Sequence, residues 1–262
     1  MDRSERDGAA CQGFATKEPF RRLDQDTLST LASFARRRSF RAGEMIVMPG
    51  ERPASVGFVM TGILRMEKIL ADGRRHIVGL LVEGDMFGRV FDGPMPYGLE
   101  AATPSEVVLF RRGPFEDLVL QSPELDRVII QEILSEIDRA RDWMILLSHT
   151  RIQTRICAFL ILLCTRYRHL SFVVSSSSDG MLVHVPISRQ DMAHLLGTRT
   201  ESISRGFHAL QDKNLIRLER PDLIAILDLA ALARETGEEE SADLSGLPQL
   251  LQREQAARQR QG

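Results

Sequence analysis

The sequence has no long apolar run. Nowhere in its 262 residues does a stretch approach the roughly eighteen consecutive apolar residues that a membrane-spanning helix needs. The opening MDRSERDGAA also lacks the apolar segment of a signal peptide. We therefore expect no membrane partner and a cytoplasmic location.

Cysteine is scarce, with only Cys11, Cys157 and Cys164. An odd, widely scattered set favours reduced thiols over a disulfide framework. Cys157 and Cys164 lie seven residues apart on the apolar side of a predicted helix, so we interpret them as buried inert thiols, with a redox pair as the alternative. No paired-cysteine or His-x3-His spacing suggests zinc.

Motifs of enzymatic catalysis are missing as well. The chain contains no Ser-His-Asp, paired-carboxylate or phosphate-loop arrangement, and its single GDMFG lacks the glycine spacing of a nucleotide-binding loop. We predict that the protein is not an enzyme, with no catalytic residue, no metal ligand and no cofactor-binding residue.

A large excess of either charge is also absent, since 34 Lys and Arg face 36 Asp and Glu for a net charge of −2. This balance argues against nucleic acid as a partner only if the charge is evenly spread. It is not, because residues 151–220 hold ten basic residues against five acidic ones, a local net charge of +5. The pattern indicates a basic module inside a neutral chain.

Glycine-punctuated apolar runs dominate the first half of the chain. Residues 1–22 are polar and aperiodic, which predicts a flexible tail, and a short amphipathic helix is expected from Leu23 to Arg36. Between residues 40 and 112, turn signals alternate with runs such as VGFVM and EVVLF, with ADGRR as the best hairpin turn. The pattern predicts an all-β sandwich or barrel, so that residues 23–120 form one domain.

A long helix is predicted for residues 121–150, where no glycine or proline follows Pro123 for more than 25 residues. Its apolar residues with alternating spacings of three and four predict a coiled-coil dimer seam. The seam residues are Ile130, Ile133, Ile137, Ala140, Met144 and Leu147. A second apolar set is expected to pack on the β domain: Leu125, Val128, Ile129 and Leu134. The alternative is a helix buried wholly within a monomer.

Residues 151–235 predict a winged helix-turn-helix. After a first helix and a flexible serine-rich link, MLVHVPIS alternates like a strand. Ser188 and Asp191 then form a capping box at the start of one helix, and Gly197 makes the corner before the next, about Arg199 to Lys213. LIRLERPDLIAIL is expected to form the wing, and residues 236–262 a flexible tail.

The stretch GTRTESISRG places Glu201, Ser204 and Arg205 side by side on the second helix of the motif. Such a helix lies in the DNA major groove, where arginine reads guanine, glutamate accepts from cytosine and serine bonds to a base edge. These three are the predicted base-reading residues; an exposed face with a local ion pair is the alternative. The residues predicted to contact the DNA backbone are Arg189, Arg199 and Lys213.

The motifs resemble those of the Crp/Fnr family of bacterial transcription regulators over roughly residues 23–232. The resemblance rests on AGEMIVMPGE, VMTGILRM and ADGRRHIVGLLVEGDMFG, and on MAHLLGTRTESISRGFHALQDKNLI near the end. It implies an α+β fold with an N-terminal β-roll (a cyclic-nucleotide-binding-like jelly roll), a long dimerisation helix and a C-terminal winged helix-turn-helix. It also implies a homodimeric activator that binds palindromic double-stranded DNA and contacts RNA polymerase.

The E-x-x-S-R pattern resembles the Fnr and FixK branch of that family, which binds TTGAT…ATCAA and acts in oxygen-limitation or denitrification control. The cyclic-AMP receptor branch instead has an arginine immediately before the glutamate, where this chain has Thr200. The resemblance therefore implies the Fnr and FixK type of operator.

The resemblance also bears on effectors. Leu99 and Glu100 lie at or near the Arg-Ser pair that holds the phosphate in the cyclic-nucleotide-binding branch, and a carboxylate there would repel it. The Fnr oxygen sensor uses four cysteines for its iron-sulfur cluster, whereas this chain has only Cys11 before residue 157. We expect no cofactor, with activity set by protein abundance. The alternative is an effector-dependent regulator whose β-roll binds an unidentified small molecule or a haem, for which His76 is the candidate ligand in that region.

Overall fold

The computed structural model describes residues 12–71, 73, 75–91, 93–167, 174–177, 180–185 and 187–236. Residues 1–11 of the expected N-terminal tail, which include Cys11, and residues 237–262 of the expected C-terminal tail lie outside the described residues. The chain divides into two compact units between Ala140 and Arg141, inside the long helix that was expected to form a segment of its own.

The first unit contains a β-roll of two four-stranded antiparallel sheets. Its strands are β1 (Ala35–Phe40), β2 (Met45–Val47), β3 (Ser55–Thr61), β4 (Leu64–Ile69), β5 (Arg75–Leu81), β6 (Met86–Phe87), β7 (Gly98–Ala101) and β8 (Ser105–Arg111). One sheet has the order β1-β8-β3-β6 and the other β2-β7-β4-β5. The β domain predicted from the glycine-punctuated runs and the β-roll implied by the family resemblance are confirmed, and β4 and β5, which flank ADGRR, pair antiparallel.

An apolar cluster joins the two sheets. Val59 of β3 lies opposite Val107 of β8, and both belong to the cluster. The buried members are Phe40, Val47, Val59, Leu64, Leu81, Phe87, Met95, Leu99, Ala101 and Val107. Burial of these side chains provides the hydrophobic stabilisation that holds the sheets face to face.

The opposite face of the first sheet is covered by helices α1 (Gln25–Phe34), α2 (Arg112–Gln121) and the first turns of α3 (Pro123–Ser148). Val56, Phe58 and Met60 of β3 pack in this helix-covered core, while Val59 between them faces the other sheet. Because both faces of β3 are covered, its sequence SVGFVMT is almost continuously apolar.

The structure corrects the expected extent of the N-terminal tail. Residues 12–14 and 20–22 form short 3-10 helices, and Phe14 and Phe20 are buried in the helix-covered core. Their rings meet edge to face with centroids 4.9 Å apart, and Phe14 also meets Phe110 at 5.4 Å. Two isolated aromatic residues in a polar segment give no periodic signal, which is why the tail prediction is wrong for residues 12–22.

The helix predicted for residues 23–36 is shorter in the structure. Asp24 caps it, since its carboxylate accepts hydrogen bonds from the N–H groups of Asp26 and Thr27 at 3.0 and 2.9 Å. The helix ends at Phe34 because β1 starts at Ala35 and pairs with β8 along its length. Neither β1 nor α2 was predicted; the exposed arginines of ARRRSF hide the strand pattern.

The apolar contact of helix α3 with the β-roll is made by its first turns. Leu125, Val128 and Ile129 are buried in the helix-covered core, as predicted. Leu134 is exposed instead, so the prediction is wrong for that residue. One turn beyond Ile129, the apolar contact gives way to charged residues.

Charged residues dominate the next contact of α3 with the β-roll. Arg139 donates to the Asp85 carboxylate at 2.7 Å, and both side chains are largely buried. Glu132 is close by; burial, with Asp85 adding to it and Arg139 opposing it, raises the pKa of Glu132 to about 7. We therefore expect Glu132 to change charge near neutral pH where α3 contacts the β-roll.

Neutralising Glu132 should stabilise the protein only at the higher pH. The folded pKa of Glu132 lies above its ordinary value of 4.5, so the neutral carboxyl favours folding at low pH and this advantage is lost as pH rises through about 7. The melting temperature of Glu132→Gln relative to wild type should therefore be higher at pH 8 than at pH 5. For Asp126→Asn, at an exposed position of the same helix, the melting temperature relative to wild type should be the same at both pH values. If this difference were also independent of pH for Glu132→Gln, the raised pKa of Glu132 would be contradicted.

The second unit carries the winged helix-turn-helix. Its elements are α4 (Ile152–Arg166), β9 (Val174–Ser177), β10 (Gly180–His184), α5 (Arg189–Leu195), α6 (Thr200–Asp212), β11 (Ile216–Arg220), β12 (Leu223–Ile226) and α7 (Leu229–Arg234). The sheet order is β11-β12-β10-β9. The serine-rich segment expected to be a flexible link contains β9, which pairs antiparallel with β10.

Helix α4 is the centre of this unit, because every residue from Ile156 to Cys164 is buried. Cys157 and Cys164 are both buried and are not joined in a disulfide, and burial raises the pKa of Cys157 to about 12. These observations favour buried inert thiols over a redox pair. Among the helices of the described residues, none combines the length and apolar composition needed to cross a membrane.

Candidate nucleic-acid interface

The first helix of the motif, α5, begins with the predicted cap. Ser188 Oγ accepts a hydrogen bond from the Asp191 N–H at 3.0 Å and donates one to the Asp191 carboxylate at 2.8 Å. Met192, Ala193 and Leu195 are buried behind it. The cap fixes where α5 starts, and the buried face fixes its rotation.

The turn between α5 and α6 is held by a side chain from α4. Gly197 has φ +65°, a left-handed conformation that glycine adopts without steric cost. Arg155 donates from Nη1 to the Leu196 carbonyl and from Nε to the His149 carbonyl, both at 2.8 Å. Sequence reasoning missed this residue; its only signal is an arginine at the edge of an apolar helical run.

Helix α6 is amphipathic, and its apolar face packs tightly against α4. Ile203, Gly206, Phe207 and Leu210 are buried. A Cβ at Gly206 would lie 2.5 Å from Cδ1 of Ile156, so the glycine lets the two helices approach closely. The opposite face is left to solvent, as the sequence pattern predicted.

The three predicted base-reading residues differ in exposure and in whether their side chains already form hydrogen bonds. Glu201 and Arg205 are exposed, and neither forms a hydrogen bond or an ion pair within the part of the chain that the structure describes. Ser204 is half-buried, and its hydroxyl donates to the Thr200 carbonyl at 3.2 Å. Its oxygen can still accept a hydrogen bond, whereas Glu201 and Arg205 are available in full.

Arg189 lies over an aromatic ring of helix α6. Its guanidinium carbon is 3.6 Å from the ring centroid of Phe207, a cation–π contact. Burial, opposed by the charge of Asp222, lowers the pKa of Arg189 to about 10, which leaves the side chain cationic at neutral pH. The stacking holds a positive charge in a fixed orientation.

The other two predicted backbone contacts have opposite surroundings. Arg199 is exposed at the N-cap of α6 and makes no side-chain capping bond. Lys213, at the far end of α6, donates to the Glu235 carboxylate at 2.6 Å. Lys213 would have to leave this ion pair to reach a phosphate, whereas Arg199 would not.

The wing balances most of its own charge. Arg217 pairs with Glu219 at 2.6 Å, Arg220 with Asp222 at 3.5 Å, and His184 with Asp222 at 2.8 Å. Between the wing and α6 lies a groove of about 420 Å³. Its lining residues are Arg189, Ser204, Phe207, His208, Leu218, Glu219, Arg220 and Pro221.

The two β-roll residues that were compared with the nucleotide-binding Arg-Ser pair, Leu99 and Glu100, both make contacts inside the β-roll. Leu99 is buried in the cluster between the sheets. Glu100 is buried in a charge cluster with Arg65, Arg75 and Glu67. Burial, together with a hydrogen bond to Glu67 and against the effect of Arg65, raises the pKa of Glu100. The Glu100 carboxylate is therefore already ion-paired with arginines of strands β4 and β5.

Comparison with known proteins identifies both units. Residues 37–122 match the family model of the cyclic nucleotide-binding domain, and residues 154–235 match that of the Crp-like helix-turn-helix domain. The chain is 32% identical over 223 residues to the transcriptional activator protein FnrL of Cereibacter sphaeroides, covering 85% of this chain and 89% of that protein. It is 32% identical over 205 residues to the nitrogen fixation regulation protein FixK of Bradyrhizobium diazoefficiens, covering 78% and 81%.

The fold agrees with that of solved relatives. The structure of FixK2 from Bradyrhizobium japonicum superimposes with a TM-score of 0.65 at 27% identity, covering 76% of this chain and 96% of that one. Family models, relatives and fold all lead to one conclusion: the chain belongs to the Crp/Fnr family and is a DNA-binding transcription regulator, not an enzyme.

Proposed function

We propose that this protein is a homodimeric, cytoplasmic activator that binds a TTGAT…ATCAA palindrome in oxygen-limitation or denitrification control. The observation that carries the proposal is the exposed face of α6, where Glu201 and Arg205 stand free within an E-x-x-S-R pattern. The FnrL and FixK relatives support it, since they are named as a transcriptional activator and a nitrogen fixation regulator.

The chemistry of the face suits this half-site. TTGAT contains one G·C pair, so Arg205 can donate to O6 and N7 of the guanine while Glu201 accepts from N4 of the paired cytosine. Ser204 offers its oxygen to a neighbouring base edge. The three side chains would read adjacent groups because they share one helical face.

Backbone contacts would come from the three basic residues around this face. Arg199 is free to bind a phosphate, and Arg189 is oriented in advance by Phe207. Lys213 would exchange Glu235 for a phosphate. Such contacts add affinity that falls with salt, without choosing a sequence.

Dimerisation is supported by the exposed apolar stripe of α3. All six predicted seam residues, Ile130, Ile133, Ile137, Ala140, Met144 and Leu147, are exposed. Except for Ala140, their side chains are between 40 and 70% exposed. Leu134 and Ile145 widen the stripe on either side. An apolar stripe with heptad spacing is buried when a second copy packs against it, and the two recognition helices then meet successive major grooves about 34 Å apart. Activation would follow from contact with RNA polymerase.

Fluorescence anisotropy with the purified, ligand-free protein in air tests the proposal. The protein should bind a TTGAT…ATCAA duplex selectively over a scrambled duplex at two salt concentrations, because the base contacts depend on salt less than the phosphate contacts do. Equal binding to both duplexes would contradict the proposed operator. Selectivity that emerges only with an added small molecule or haem would support the effector-dependent alternative.

A further inference from the structure

His208 occupies a place on the recognition helix that the base-reading set does not account for. It is exposed, three residues beyond Arg205 and four beyond Ser204, so it shares their side of α6. At a rise of about 1.5 Å per residue it lies about 4.5 Å farther along the helix than Arg205. Residues at the start of a recognition helix reach base edges, whereas later ones approach the backbone at the groove wall.

The groove beside His208 is rich in cations. Arg189 enters it from α5, stacked on Phe207, and forms no ion pair with any carboxylate of the described residues. Arg220 enters it from the wing. On α6 itself, Arg205 precedes His208 by three residues and Asp212 follows it by four.

The two acidic groups of the wing near this groove, Glu219 and Asp222, are already engaged. The Glu219 carboxylate, which lines the groove, accepts from Nε of Arg217 at 2.6 Å. The Asp222 carboxylate is shared by His184 and Arg220. A half-buried arginine that is not ion-paired with a carboxylate is stabilised when an anion enters, and the backbone phosphate of bound DNA is such an anion.

We propose that His208 contacts a DNA backbone phosphate at this groove and takes up a proton as it does so. The proposal rests on the DNA-binding function of the chain and adds a specific contact to it. A phosphate within hydrogen-bonding distance favours the charged form of an imidazole over the neutral form. DNA affinity should therefore rise as pH falls, on any sequence.

The test is a set of anisotropy titrations at pH 6 and pH 8 over a series of salt concentrations, on both the palindromic and the scrambled duplex. For wild type, the dependence of log K on log salt should be steeper at pH 6 than at pH 8 by about 0.9 for each added phosphate contact. His208→Gln should show the same slope at both pH values. His208→Arg, which is charged throughout, should show the steeper slope at both. His76→Gln, a histidine of the β-roll unit, should behave as wild type.

Each outcome separates this proposal from the proposed function. Wild-type pH dependence in His208→Gln would overturn the assignment, and a pH effect confined to the palindrome would assign His208 to a base instead. Equal binding of both duplexes with the pH effect intact would overturn the operator but not the phosphate contact. If circular dichroism shows that His208→Gln does not fold, His208→Arg tests the phosphate contact instead. A pH dependence of the salt slope that persists in His208→Arg would refute the proposal.

Discussion

Replacing Arg205 by alanine should remove most of the preference for the palindrome and leave nonspecific binding in place. In a homodimer the change deletes one guanidinium from each half-site. A bidentate arginine–guanine contact gives about 1–3 kcal/mol of discrimination, so removing two costs about 2–6 kcal/mol, which is a factor of about 30 to 20,000 in the preference. The measurement is the ratio of Kd for the TTGAT…ATCAA duplex to Kd for the scrambled duplex at a fixed salt concentration.

Arg199→Ala is the matched control, since Arg199 is also an exposed arginine at the start of α6. Because Arg199 is expected to bind a phosphate, its removal should weaken binding to both duplexes by the same factor. The salt slope should fall by about 0.9 for each phosphate that is no longer neutralised. If Arg205→Ala behaved in this way too, Arg205 would bind the DNA backbone, and its base-reading role would be refuted.

Two aspartates placed in the seam should convert the protein to a monomer. In Ile137→Asp with Met144→Asp, four carboxylates would face one another across the two helices, where burying an unpaired charge is strongly unfavourable. Two linked recognition helices gain about 10²–10⁴-fold in affinity over one, so palindrome binding should weaken by about that factor. Sedimentation velocity measures the mass, and anisotropy measures the affinity.

Gln131→Asp provides the control, because it adds a carboxylate at an exposed position of the same helix just outside the seam. This variant should remain a dimer. A doubly substituted protein that still sediments as a dimer would place the interface elsewhere in the chain.

The elements that could be predicted from the sequence are those with a local, periodic signal. Most β-roll strands were visible because turns punctuate apolar runs, and α3 because its 26 residues contain no helix breaker after the first. Strand β1 could not be recognised, because three of its six residues are arginines. Phe14 and Phe20 could not be placed, because their burial depends on contact with Phe58 and Phe110, far away in sequence.

The same distinction holds at the interface. Glu201, Ser204 and Arg205 could be proposed together as base-reading residues because they lie within five consecutive residues and one motif. Contacts between distant segments could not be predicted in this way, and such contacts engage two of the three basic residues that were predicted to bind the DNA backbone. Arg189 is held by Phe207 eighteen positions on, and Lys213 is engaged by Glu235. Arg155 belongs to no recognisable sequence motif, because its partners are backbone carbonyls, which any residue provides.

The two hydrogen bonds of Arg155 limit how this regulator can be switched. One guanidinium joins the His149 carbonyl to the Leu196 carbonyl, so the recognition helix cannot pivot about Gly197 without breaking a charge-assisted bond. The close approach of Gly206 to Ile156 blocks sliding along α4 as well. These contacts hold the helix-turn-helix to α4, so control of transcription would come from the spacing at which a dimer holds its two recognition helices.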